Sequence, residues 1–254
     1  MTRRIRLPRP TAALAAGLAV TVLASCSTLT GVVSPAEARQ GAGADNSVAG
    51  PVDCRKAHCV ALTFDGGPSK PTPKLLDLLK RDNVKATFFV QGKGHSDTYP
   101  ATITRMAKEG HEIGNHTWSH KNLTELTPRQ ISAEMEPVQK EIQNATGKAP
   151  TLMRPPQGRT DDDVSEVLKK LGLAQILWSV TAKDYQTTDT RLIKKRVLDQ
   201  TKRDGIVLLH ERYAGTIPAV AEIIPALRKL GYTFVTVSEL IFPATPRPGT
   251  VYRP

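Results

Sequence analysis

The stretch Val60-Ala61-Leu62-Thr63-Phe64-Asp65-Gly66-Gly67-Pro68 decides the reading of this chain. Its first five residues are apolar or β-prone and make a strand. The chain then turns sharply through Gly-Gly-Pro, with an aspartate at the mouth of the turn. Taken singly, Asp65 reads as a turn residue. It gains meaning from what recurs downstream: His116-Thr117-Trp118-Ser119-His120, Arg154-Pro155-Pro156-Gln157, Asp184-Tyr185 and Leu208-Leu209-His210 also follow short strand-like runs. Together they supply two carboxylates, an i,i+4 histidine pair, an arginine and a separate histidine. Metal-assisted hydrolysis with its own base and acid needs that set of groups.

Around these motifs strands and helices alternate. Apolar runs at 60–64, 86–90, 111–114, 152–153, 174–180, 206–209 and 233–237 read as strands. Leucines at 75, 76, 78 and 79 give helical spacing over 72–81, and helices are also expected over 99–109, 127–145, 162–171, 190–202 and 217–230. Thr127 caps the third of these ahead of Pro128, and the internal Pro137 is expected to kink it. Such alternation predicts an α/β fold with a mostly parallel sheet and outer helices, open or closed into a barrel. In such folds the carboxyl ends of the strands share one face. Asp65, His116, Arg154, Asp184 and His210 therefore converge there.

The 254-residue chain opens with Arg3, Arg4, Arg6 and Arg9 and an apolar run over 12–24, too short and small-residued for a membrane span. Leu23-Ala24-Ser25-Cys26 resembles a bacterial lipobox. This predicts a signal peptide over 1–25 and a lipidated Cys26; cleavage after Ala36-Glu37-Ala38 is the alternative, and both export the protein. Residues 26–57 read as a flexible tether, 58–242 as one domain and 243–254 as a Pro-rich tail. Cys54 and Cys59 remain, either as a disulfide or as two buried thiols. The net charge of +11 falls by four with the leader, leaving a basic exported domain drawn to anionic wall polymers or headgroups. The basic residues are scattered and form no recognised nucleic-acid motif, so nucleic acid is not an expected partner.

From residues 60 to 240 the motifs, in this order, resemble the polysaccharide deacetylases of carbohydrate esterase family 4, the NodB-homology domains. The resemblance implies an irregular (β/α) barrel. It also implies hydrolysis of N- or O-acetyl groups on a cell-wall glycan or chitooligosaccharide, assisted by a divalent metal, often zinc. By resemblance, Asp65 is the base that deprotonates water and Arg154 the cation that holds it. His116 and His120, placed by their spacing on one face of a helical turn, are the metal ligands. Asp184 offers His210, the expected general acid, the carboxylate partner such a histidine needs to hold its proton. Pro155, Gln157, Trp178 and Leu208 are expected to line the substrate pocket, the Gln157 N–H helping to form the oxyanion hole.

Three positions depart from the family pattern. Gly66 stands where a second aspartate is usual, so the third metal ligand is missing; His58, His95, His111 and Asp97 are the residues that could replace it from neighbouring loops. Gln157 replaces an aromatic residue, and Tyr185 replaces a tryptophan. Gly66 and Gln157 also keep open a non-catalytic glycan-binding protein on a degenerate deacetylase fold. The retained Asp65, Arg154, Asp184 and His210 favour the enzyme, because binding alone needs neither base nor acid.

Overall fold

The computed structural model describes Met1, residues 31–42 and residues 52–254. The expected signal peptide and Cys26 lie outside the described residues. Among the described residues ten strands form one all-parallel sheet: β1 (Val32–Val33), β2 (His58–Gly67), β3 (Thr87–Val90), β4 (Glu112–Asn115), β5 (Leu152–Met153), β6 (Ala174–Ile176), β7 (Val180–Thr181), β8 (Gly205–Leu209), β9 (Tyr232–Phe234) and β10 (Val251–Tyr252). The helices are α1 (Pro35–Gly41), α2 (Thr72–Arg81), α3 (Pro100–Lys108), α4 (Pro128–Thr146), α5 (Asp162–Lys170), α6 (Thr190–Gln200), α7 (Thr216–Lys229) and α8 (Val237–Ile241).

Strand order is β1-β10-β6-β5-β4-β3-β2-β8-β7, with β9 also on β2. β6 and β7 lie far apart along this order, yet residues 177–179 alone join them. The four backbone steps from Ile176 to Val180 reach at most roughly 14 Å. The sheet must therefore curl until β7, at one end, comes back close to β6, which makes an incomplete barrel. The single strand expected over 174–180 is broken for this reason: β6 pairs with β5 and β10, while β7 pairs with β8.

The two faces of β2 follow its period of two. Val60, Leu62 and Phe64 pack outward with leucines of α2 and with α6 and α7. Ala61 faces the barrel interior among Phe89, Ile176 and Ile206. Thr63 and Asp65 continue that inner row, so a polar pair tops an apolar stack.

Two segments expected outside the fold are built into it. Residues 31–42 are not a free tether: Ser34 and Glu37 form a capping box that starts α1, and Pro35 sits at its first turn. The buried Arg39 donates to the Leu240 carbonyl and pairs with Asp204 at 2.5 Å. The tail is not free either, since β10 inserts between β1 and β6. The last expected strand also ends early. Thr236 and Glu239 form another capping box and turn residues 237–241 into α8. α4 runs unbroken through Pro137. Cys54 and Cys59 are joined by a disulfide at the entry to β2, with Cα atoms 5.5 Å apart.

Candidate active site

Asp65 sits where the β2–β3 pairing slips. Phe89 faces Asp65 and Val90 faces Gly67, leaving Gly66 as the extra residue of a bulge at φ +72°. Such a bulge bends the strand and favours glycine at the left-handed position. Gly67 is demanded by contact instead: a Cβ there would stand 1.7 Å from Glu211 Oε1. Backbone conformation thus accounts for Gly66, and packing against the Glu211 side chain accounts for Gly67.

Arg154 leaves the end of β5 and is 0% exposed. Its Nη1 donates to Asp65 Oδ1 and to Thr63 Oγ1, each at 2.7 Å, and its Nε donates to the Ile176 carbonyl. The guanidinium lies 4.3 Å over the Phe89 ring and 5.6 Å from that of Trp178. Burial lowers its pKa, and the Asp65 carboxylate opposes that shift. The pair fixes one carboxylate oxygen of Asp65 and leaves Oδ2 outside it.

His116 and His120 are not on a helical turn. Thr117 and His120 have φ of +69° and +61°, so the segment is an irregular loop. Side-chain hydrogen bonds replace the helical ones that this backbone cannot make. Asn115 Oδ1 accepts from Thr117 N, and Glu134 on α4 accepts from Ser119 N and Oγ at 2.7 and 2.6 Å. Trp118 packs closely on Gly92. The loop still brings the rings together, with centroids 5.0 Å apart.

His116 Nδ1 lies 2.8 Å from the Arg154 carbonyl. A carbonyl only accepts, so Nδ1 carries the hydrogen and Nε2 keeps its lone pair, 3.9 Å from Asp65 Oδ2. Burial pushes the His116 pKa down to about 4, opposed by Asp65. Burial also lowers His120, with Arg212 as the next cause. Two neutral imidazoles are therefore the donors this chain would offer to a divalent ion.

A third donor is missing. Among the described residues no group of three or more His, Cys, Asp or Glu is placed to share an ion. His58 stands at the opposite end of β2 from Asp65. His111 precedes β4 and accepts from Ala86 N. His95 Nδ1 is held by the Pro68 carbonyl, and Asp97 is exposed. The donor set does not fit a resident ion with three protein ligands, the usual arrangement of catalytic zinc.

His210 follows β8, the strand beside β2. Phe64 is in register with Leu209, so Asp65 and His210 are the next residues on neighbouring strands, about 5 Å apart in backbone. Asp184 is 1% exposed and clasps His210 from two sides. Its Oδ1 lies 2.9 Å from Nδ1, and its Oδ2 accepts from His210 N–H and Thr216 Oγ1, both at 2.7 Å. This holds hydrogen on Nδ1 and leaves Nε2 as the ring atom available to a substrate. The rings of Tyr185, which is exposed, and Tyr213 flank the imidazole at 5.6 and 5.8 Å.

The remaining expected pocket residues are arranged around this centre. Leu208 is buried and pairs with Thr63 on the inner face. Pro155 is buried and Gln157 is exposed at φ +59°, in the turn beyond Arg154. Trp178 lies in the β6–β7 break, with Gly158 packed against its ring.

Two residues absent from the expected set stand beside these groups. Glu211 is buried, accepts from Thr72 Oγ1 at 2.9 Å and leaves Oε2 unpartnered. Burial pushes its carboxyl from 4.5 up to about 7. Arg212 covers Gly66. Their position directly after His210 is the signal in the sequence that could have found them.

Glu211 yields a stability prediction. The unfolded chain releases this proton near 4.5 and the folded chain near 7. Between those values the folded state holds more protons, so this group costs stability as pH rises, then levels off. Glu211→Gln should remove that cost, which reaches about 3 kcal/mol at neutral pH. Thermal unfolding of both proteins across this range checks it: the variant should gain stability over the parent as pH rises, and parallel curves would refute it.

Comparisons with known proteins place the chain in a family. Residues 53–176 match the family model described as polysaccharide deacetylase. The chain is 39% identical over 182 residues to the peptidoglycan-N-acetylglucosamine deacetylase PgdA of Listeria monocytogenes, covering 71% of this chain and 38% of that protein. It therefore spans well under half the length of that relative. To the peptidoglycan-N-acetylmuramic acid deacetylase PdaA of Bacillus subtilis it is 38% identical over 192 residues, covering 74% and 73% of the two chains. A solved structure described as T48 deacetylase with substrate superimposes with a TM-score of 0.76 at 36% identity, covering 79% of this chain and 99% of that one. The chain belongs to the polysaccharide deacetylase family of hydrolases, the carbohydrate esterases of family 4.

Proposed function

We propose that this protein is an exported deacetylase of N-acetylated peptidoglycan. The observation that carries the reading is the pairing of Asp65 and His210 at the ends of adjacent strands, each locked by a buried partner. Arg154 orients Asp65 to take a proton from water, and the Asp184–His210 pair presents Nε2 to the leaving nitrogen. Leu208, Trp178 and Pro155 shape the wall for the acetyl methyl. The Gln157 N–H is the backbone donor offered to the oxyanion in that turn, and exposed Tyr185 offers a ring to the sugar face. Relatives named for N-acetylglucosamine and for N-acetylmuramic acid support a wall glycan over acetyl xylan. A divalent ion such as zinc, expected from the sequence, would find only His116 and His120 as its ligands among the described residues, so no step of this reading runs through one.

Incubating the protein with purified peptidoglycan and with chitooligosaccharide tests this. Acetate and free amine should appear in equal amounts on peptidoglycan, with mass spectrometry of the digested glycan placing the amine on one of the two sugars. Glycan binding without acetate release would instead establish a binding protein on this fold.

Cys26 is proposed to carry lipid and tether the domain to the outer face of the cell membrane. Cys26→Ser should move the protein from the membrane fraction to the medium. If the parent protein is already in the medium, the lipid anchor is wrong.

A further inference from the structure

The space left by the missing aspartate at position 66 is filled. A Cβ on Gly66 would stand 3.2 Å from Arg212 Nη1 and 3.4 Å from its Cζ. Arg212 is half-buried in the loop after His210. Its contacts are with Tyr213, whose hydroxyl lies 3.4 Å from Nη2 and whose ring lies 5.2 Å from Cζ. Among the described residues no carboxylate forms an ion pair with it, whereas Arg154 is paired with Asp65. The same guanidinium acts on His120 as a like charge, where Asp65 and His210 are also felt. A cation therefore stands over Gly66, beside the proposed base and within electrostatic reach of His120.

We propose that Arg212 takes the place of the third ligand and of the ion it would hold, and that its guanidinium receives the acetyl carbonyl oxygen during the reaction. This rests on the deacetylase reading above. Guanidinium N–H groups are fixed-charge donors suited to an oxyanion, and in a half-buried site they act with little screening. Water oxygen bonds to the carbonyl carbon as Asp65 takes one of its protons. The carbonyl π pair moves onto oxygen, where Arg212 holds it. When the C=O re-forms, the C–N bond breaks and nitrogen keeps its electron pair. His210 Nε2 gives that nitrogen a proton, so an amine and acetic acid leave. Solvent then returns a proton to His210 and removes one from Asp65. Arg212 stays protonated throughout.

The arrangement also reverses a simple expectation for Gly66→Asp. A carboxylate added there meets Arg212 first, and the two charges should pair instead of opening a metal site.

Calorimetric zinc titration and acetate release test the proposal together. Metal-stripped parent protein and Gly66→Asp should show no zinc uptake in the micromolar range, while Gly66→Asp/Arg212→Ala should bind one ion. One zinc per parent chain at micromolar affinity or tighter would overturn the placement. Acetate release by the parent should be unchanged by chelator. Arg212→Ala should lower kcat by about 10²-fold or more, with Arg212→Lys retaining part of it. Release that requires zinc, or that survives Arg212→Ala, would overturn the catalytic role. A folded parent that releases no acetate with or without zinc would remove the deacetylase reading and this role with it; the zinc titration would still decide the placement of Arg212.

Discussion

Asp65→Asn is expected to lower acetate release by roughly 10²- to 10⁴-fold in kcat, the range for loss of a positioned general base. The substitution keeps the side-chain shape and can still accept from Arg154 Nη1. It removes the charge that attracts a proton from water. It also leaves the Arg154 guanidinium, fully buried, without its counter-ion, and breaking a buried pair costs about 3–5 kcal/mol. Thermal unfolding must accompany the kinetics, with both proteins assayed below the variant's transition. Folded Asp65→Asn that turns over peptidoglycan at the parent rate would refute the assignment.

His210→Gln is expected to be nearly as damaging, and its damage should depend on the leaving group. An amine leaves poorly without a proton, so release from an N-acetyl sugar should fall by roughly 10²- to 10³-fold. A phenolate leaves readily by itself. Release from an aryl acetate should therefore fall by less than about tenfold in the same variant, whereas Asp65→Asn should lose both activities. Equal losses on amide and aryl ester in His210→Gln would mean that the histidine binds or positions without donating a proton. The pair of substrates thus separates acid from base without relying on the pH profile.

Much of the site was legible because its chemistry is written in short motifs at strand ends. Asp65, His116, Arg154, Asp184 and His210 are polar residues that break apolar runs, and a parallel sheet brings such breaks to one rim. The helices were legible for a related reason, since α2 covers the stretch marked by its leucines. Errors fell where local pattern and tertiary need diverge. The i,i+4 spacing of His116 and His120 suggested a helical turn. The loop is instead held by Glu134, fourteen residues beyond His120, which no local window contains. The apolar run over 174–180 suggested one strand, but barrel curvature breaks it at Trp178. Ser34-x-x-Glu37 and Thr236-x-x-Glu239 are capping boxes present in the sequence, overshadowed by a tether-like composition in one case and β-prone residues in the other.

The sequence by itself determined the alternation of strands and helices, the family, and the residue types gathered at the rim. Those follow from side-chain periodicity and turn chemistry, which act over a few residues. Only the tertiary structure decided what fills the place of the absent aspartate. Gly66 and Arg212 are far apart in the chain and meet because β2 and β8 are paired in register. The same pairing sets His210 beside Asp65 and buries Glu211 against Gly67. A missing side chain is visible in sequence as an absence; the charge that occupies its volume is set by long-range packing.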